Sequence, residues 1–165
     1  MRSLLLFAPL VATPAPADLE IRFDEGAPKD RFTLSQTGDC TLGASEITID
    51  LGGSAAGLIF DVTGTGAGVE VFQPFELTAG ADQIASSPVV RDGDSAVVLS
   101  VTELAPDQSV AFTIDVDDTL GARAITVSDA EIAGATVSVR QGDRLLQATF
   151  DETASAQIAM PDCTS

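Results

Sequence analysis

The sequence has no histidine, no tryptophan and no tyrosine. Without histidine, Ser-His-Asp and Cys-His nucleophile systems cannot be built. Zinc sites of the usual His and Cys type fall with them. Without tryptophan or tyrosine, a sugar ring has no ordinary platform to stack on, and most of the eight phenylalanines fall on the apolar faces of strand-like runs. Positive charge is scarce too: eight Lys and Arg stand against 25 Asp and Glu, for a net charge of −17. Phosphate backbones and anionic membrane surfaces are bound by clustered Lys and Arg, so nucleic acid is excluded as a partner. Cations, or cationic partners, are attracted instead. No Gly-rich loop opens a helix, so there is no phosphate cradle.

Long hydrophobic runs are missing beyond the first residues. Residues 1–17 read MRSLLLFAPLVATPAPA. Arg2 is a short positive region, Leu4 to Ala12 an apolar stretch, and Ala15-Pro16-Ala17 a small-residue cleavage signal. A bilayer-spanning helix needs about 20 apolar residues, so this stretch is too short. Pro9, Pro14 and Pro16 argue against a buried strand or helix. The pattern predicts a signal peptide over 1–17 that is removed, leaving a domain over 18–165 in the periplasm or outside the cell. It predicts no membrane insertion after cleavage.

Cysteine is nearly absent as well. Cys40 and Cys163 are the two present, without CxxC spacing, and in an exported chain they predict one structural disulfide. Closing so long a loop contributes on the order of 4–5 kcal/mol in the chain-entropy picture.

What remains alternates. Ile47, Ile49 and Leu51 are interleaved with Glu46, Thr48 and Asp50. Leu58, Phe60 and Val62 are interleaved with Ile59, Asp61 and Thr63. Val110, Phe112, Ile114 and Val116 face one way, with Ala111, Thr113, Asp115 and Asp117 opposite. This period marks antiparallel strands with one face on a core. Breakers such as Gly52-Gly53, Asp92-Gly93-Asp94 and Gln141-Gly142-Asp143 separate the runs. Strands are expected near 19–24, 31–36, 46–51, 57–63, 68–77, 95–102, 109–117, 124–128, 135–140 and 144–150, with a last one over 155–160. The expected fold is all-β: a single-domain antiparallel β-sandwich, Ig-like or jelly-roll-like, of about 10 strands. No window supports a helix of three turns, and Asp143-Arg144 fits a hairpin turn.

The candidate site is acidic. In FTIDVDDTLG, alternation sets Asp115 and Asp117 on one face, and Asp118 opens the next turn. Carboxylates this close repel unless a positive charge sits among them. Calcium takes about six to eight oxygens and is the cation such a pattern would hold. The plain alternative is a solvated strand end, partly neutralised by Arg123 or Arg91. Asp92 and Asp94 in RDGDS make a second acidic pair. The full EF-hand loop is not present.

The stretches GAPKDRFT (26–33), VEVFQPFEL (69–77) and FTIDVDDTLG (112–121) resemble a group of small exported bacterial proteins labelled "aggregation factor core" proteins. The resemblance spans nearly the whole chain after residue 17, including both cysteines. It implies an adhesion role, by analogy with a sponge cell-aggregation proteoglycan whose core repeats include calcium-binding β-sandwiches. The group defines no catalytic or ligand residues, so none is transferred. The resulting expectation is a non-enzymatic structural or interaction domain, meeting protein or polysaccharide at the cell surface. Its rivals are a calcium-dependent glycan-binding module, a glycoside hydrolase using two carboxylates, and a subunit that joins an assembly by strand addition.

Overall fold

A computed structural model describes residues 18–64, 72–119 and 127–160. The expected signal peptide over 1–17, Arg123 and Cys163 lie outside the described residues, as do 68–71 and 124–126 of two expected strands. Cys40 is disulfide-bonded.

Strand formation follows the alternation. β1 (Leu19–Asp24) turns Leu19, Ile21 and Phe23 inward, each at most 1% exposed. β2 (Asp30–Gln36) turns Phe32 and Leu34 inward, with Asp30 and Gln36 on the same face at its two ends. β3 (Ser45–Asp50) buries Ile47 and Ile49. The other strands are β4 (Ile59–Phe60), β5 (Glu76–Ala79), β6 (Ala96–Val101), β7 (Ser109–Ile114), β8 (Val116–Asp117), β9 (Thr136–Gln141), β10 (Arg144–Thr149) and β11 (Ser155–Ile158). Every strand pairing is antiparallel.

Five strands form one sheet in the order β11-β1-β2-β7-β5, and four form a second in the order β10-β9-β3-β6. Their inner faces share one apolar core. The protein is thus an all-β antiparallel sandwich. A short ribbon of β4 and β8 closes one end, pairing Ile59 with Asp117 and Phe60 with Val116.

The register of the five-stranded sheet lines up a phenylalanine row. Phe23 lies opposite Phe32, and Phe32 opposite Phe112. Their ring centroids are 5.0 and 5.1 Å apart, and Phe75 extends the row at 4.8 Å from Phe112. Offset and tilted contacts of this kind add to plain burial.

Several expected strands differ from the sequence reading. The strand expected over 57–63 contracts to β4. Of the one expected over 68–77, the described residues 72–75 are not strand and β5 begins at Glu76, after Pro74, which has no N–H for a ladder. The one expected over 109–117 divides at Asp115, where Ile114, Asp115 and Val116 are buried in succession. Residues 127–128, expected to be strand, instead precede α1 (Asp129–Ile132), a single turn too short to leave a periodicity.

Gly142 ends β9 with φ +58, which suits the two-residue hairpin into β10. Gly134 has φ +93, and a Cβ there would stand 2.6 Å from the Gly53 carbonyl oxygen. Gly134→Ala is therefore expected to cost about 1–3 kcal/mol in urea denaturation, through backbone strain and this contact together.

Candidate metal centre

The ribbon end gathers aspartates from separate parts of the chain. Asp30 begins β2, Asp61 follows β4, Asp92 lies in the turn before β6, Asp115 occupies the break after β7, and Asp117 ends β8. Backbone hydrogen bonds hold these segments together. The Asp61 N–H donates to the Asp115 carbonyl at 3.1 Å, and the Asp115 N–H donates to the Gln73 carbonyl at 3.1 Å. The Phe60 N–H donates to the Asp94 carbonyl at 2.9 Å, and the Gly93 N–H returns to the Phe60 carbonyl at 2.9 Å. The 91–94 turn thus docks on β4 from one side while β8 pairs with it from the other.

Side chains complete the arrangement. Asp92 Oδ1 accepts the N–H groups of Val62 at 3.0 Å and Thr63 at 3.2 Å. Asp94 Oδ2 accepts the Arg91 N–H at 2.8 Å, which closes its own turn. Asp30 Oδ1 accepts the Gly26 N–H at 3.1 Å, and its Oδ2 accepts the Val116 N–H at 2.9 Å. Asp30 therefore straps the start of β2 to the residue between Asp115 and Asp117.

Asp61 and Asp115 differ from Asp30. Asp61 is 1% exposed, and neither of its carboxylate oxygens has a hydrogen-bond partner. Asp115 is 9% exposed, and its Oδ2 has none either. The Asp61 carboxyl lies in hydrogen-bond contact with those of Asp92 and Asp117. A proton on Asp61 can be shared with Asp92 or Asp117, whereas in the ionised form there is no hydrogen between them and the buried oxygens of Asp61 are left unsatisfied.

The electrostatic result is consistent around the cluster. Burial, opposed by its two backbone hydrogen bonds, raises the Asp30 carboxyl to about 7, and Asp117 and Glu25 add to the rise. Burial and then contact with Asp92, followed by Asp117, raise Asp61 to about 7. Burial followed by the charges of Asp117, Asp30 and Asp61 raises Asp115 to about 7. Desolvation and like charge act in the same direction here.

Asp115 and Asp117 thus lie in one electrostatic group, as their spacing predicts. Asp118 is half-buried beside it and makes contacts of its own, but the neighbours driving the three raised carboxyls are Asp117, Asp92, Glu25 and one another. Asp92, read in the sequence as part of a separate pair, belongs to the same cluster through Asp61. Asp61 itself was expected on the solvent side of an alternating strand and is buried. The ribbon is not an outer layer: the 91–94 turn and the Gln73 segment flank it. Asp30 had a legible signal, since it lies two residues before Phe32 and so shares its inward face.

Among the described residues, no three His, Cys, Asp or Glu side chains are placed so that together they could hold a metal ion. The aspartates are neighbours, but as placed they do not form a coordination shell, and holding an ion would require their side chains to move. Also among the described residues, no helix is long and apolar enough to cross a membrane.

No protein-family model and no curated protein matches the sequence. Among solved structures, a family GH18 chitinase from Chromobacterium violaceum is similar over 84% of this chain and 19% of its own, at 13% identity and a TM-score of 0.37. The chain spans only that 19% of the chitinase, and a likeness so distant bears on neither fold nor activity.

Proposed function

We propose that the chain is an exported, non-enzymatic structural or interaction domain whose acidic end is made rigid by calcium. One observation supports this above the others: Asp61 keeps both carboxylate oxygens out of water with no donor to satisfy them. An ionised carboxylate in that position is costly, and a cation relieves the cost. The donors are all oxygen, and the sequence offers no histidine and no cysteine pair in metal-binding spacing, which favours a hard cation over zinc.

The same burial supports the non-enzymatic reading. A glycoside hydrolase must bring two carboxyl groups to the bond it cleaves. Asp115 and Asp61, at 9% and 1% exposed, are closed to a polysaccharide strand. A firm sandwich with a negative surface and an export signal suits a cell-surface or matrix role, with protein or polysaccharide as the partner.

Thermal melting of the purified protein tests the calcium dependence. Millimolar calcium is expected to raise the midpoint by about 5–10 °C over chelator, which is what a ligand at about 100 times its Kd gives a chain of this size. Equal midpoints would remove calcium from the proposal.

A further inference from the structure

The geometry points to a single calcium site built from Asp61, Asp115, Asp117 and Asp92, with Asp61 at its centre and Asp118 outside it. This rests on the calcium-dependent reading above and specifies which atoms hold the ion.

The unpartnered oxygens mark the centre. Asp61 offers two and Asp115 one, and all three are buried. The carboxyls of Asp92 and Asp117 are both in contact with Asp61. Asp61 therefore adjoins the acidic groups of the 91–94 turn and of β8 as well as Asp115. It is fixed there by its own N–H on the Asp115 carbonyl at 3.1 Å, and by the Gln73 N–H on its carbonyl at 3.3 Å.

Asp30 is not a ligand in this scheme. Each of its oxygens already accepts a backbone N–H, from Gly26 and from Val116. It acts as a positioning residue, holding Val116 so that Asp115 and Asp117 flank the same point. Asp94 closes its own turn through Oδ2 on the Arg91 N–H, and the carboxyls in contact with Asp61 are those of Asp92 and Asp117.

Calcium suits this donor set better than magnesium. Magnesium demands near-ideal octahedral geometry and keeps several of its waters, whereas calcium accepts irregular shells of carboxylates and carbonyls. Ligands drawn from a strand end, a strand break, a two-residue strand and a turn form an irregular shell. Because the carboxylates are not yet a formed group, the ion would gather them by side-chain rotation on a fixed backbone. It would then join the 91–94 turn, β4 and β8 into one unit.

Isothermal titration calorimetry with calcium chloride is the direct test, since the chain lacks the tryptophan and tyrosine that luminescent lanthanide probes rely on. The wild-type protein is expected to bind one calcium. Asp61→Asn should weaken binding by about 100-fold or more, at or beyond the loss seen when metal-site partners are removed. Asp118→Asn should stay within about 3-fold of wild type, as expected for a residue that is not a ligand. Circular dichroism confirms that each variant is folded; if Asp61→Asn is not, Asp117→Asn takes its place, with the same loss of binding expected. A calcium-stabilised wild type whose Asp61→Asn and Asp117→Asn variants bind normally overturns this site while leaving the proposed function standing. A wild type that binds no calcium overturns both.

Discussion

Phe32→Ala is expected to destabilise the protein by about 3–5 kcal/mol, the usual cost of emptying a fully buried aromatic site. Phe32 is 0% exposed and sits at mid-strand in β2, the central strand of its sheet. Its ring is 5.0 Å from Phe23, 5.1 Å from Phe112 and 6.5 Å from Phe150. Truncation breaks the phenylalanine row in its middle, and the flanking rings belong to paired strands that cannot close the gap without bending the sheet. Since a domain is stable by only about 5–15 kcal/mol, this loss is a large fraction of the total. Phe72→Ala is the internal comparison: Phe72 is 41% exposed, and its truncation should stay within about 0.5 kcal/mol. Urea denaturation of both variants measures the difference. A Phe32→Ala loss below about 1 kcal/mol would mean that the row does not hold the sheets together.

In chelator, stability is expected to fall as pH rises from 5 to 8. Burial and like charge raise Asp30, Asp61 and Asp115 from 3.8 to about 7 in the folded chain. The folded state therefore holds these protons more tightly than the unfolded one. The resulting stabilisation is fully present below about pH 4, where both states are protonated, and is lost as pH climbs through about 7. Glu76 and Asp151 oppose this at the acid end: hydrogen bonds to Lys29 and Thr153, respectively, hold them below the usual carboxylate range. Their contribution is present at neutral pH and disappears in acid. The chelated protein should thus be most stable near pH 5, with a midpoint about 5–10 °C lower at pH 8. Calcium requires the ionised carboxylates, so its stabilising effect should grow over the same interval and the two curves should separate above about pH 6. Differential scanning calorimetry across pH, with and without calcium, measures this. A chelated midpoint that stays level or rises toward pH 8 would contradict the raised carboxyls.

The sheets were legible because one face of each strand is apolar. Leu19, Ile21 and Phe23 in β1 and Ile47 and Ile49 in β3 repeat with the period of the pleat, and Gly142 marks its hairpin. The same rule misled wherever a strand has cover on both faces. At Asp115 the chain leaves the large sheet for the ribbon, so Ile114, Asp115 and Val116 are buried in succession and alternation no longer sorts inside from outside. Asp61 was misplaced for that reason. The composition of the acidic cluster was hidden differently. Asp92 and Asp117 are far apart in the sequence, and only the paired backbone on either side of Phe60 brings their segments together. Spacing along one strand reveals Asp115 with Asp117, but it carries no information about contacts made through a third segment.

β7 and β8 are a single run of chain, and the residue between them is tied on both sides. The Asp115 N–H is held by Gln73, its carbonyl receives the Asp61 N–H, and Ile114 next to it is fully enclosed. The ribbon consequently cannot swing as a hinged flap. A partner pressing on that end would meet the stiffness of the whole five-stranded sheet, relayed along one strand to Phe112.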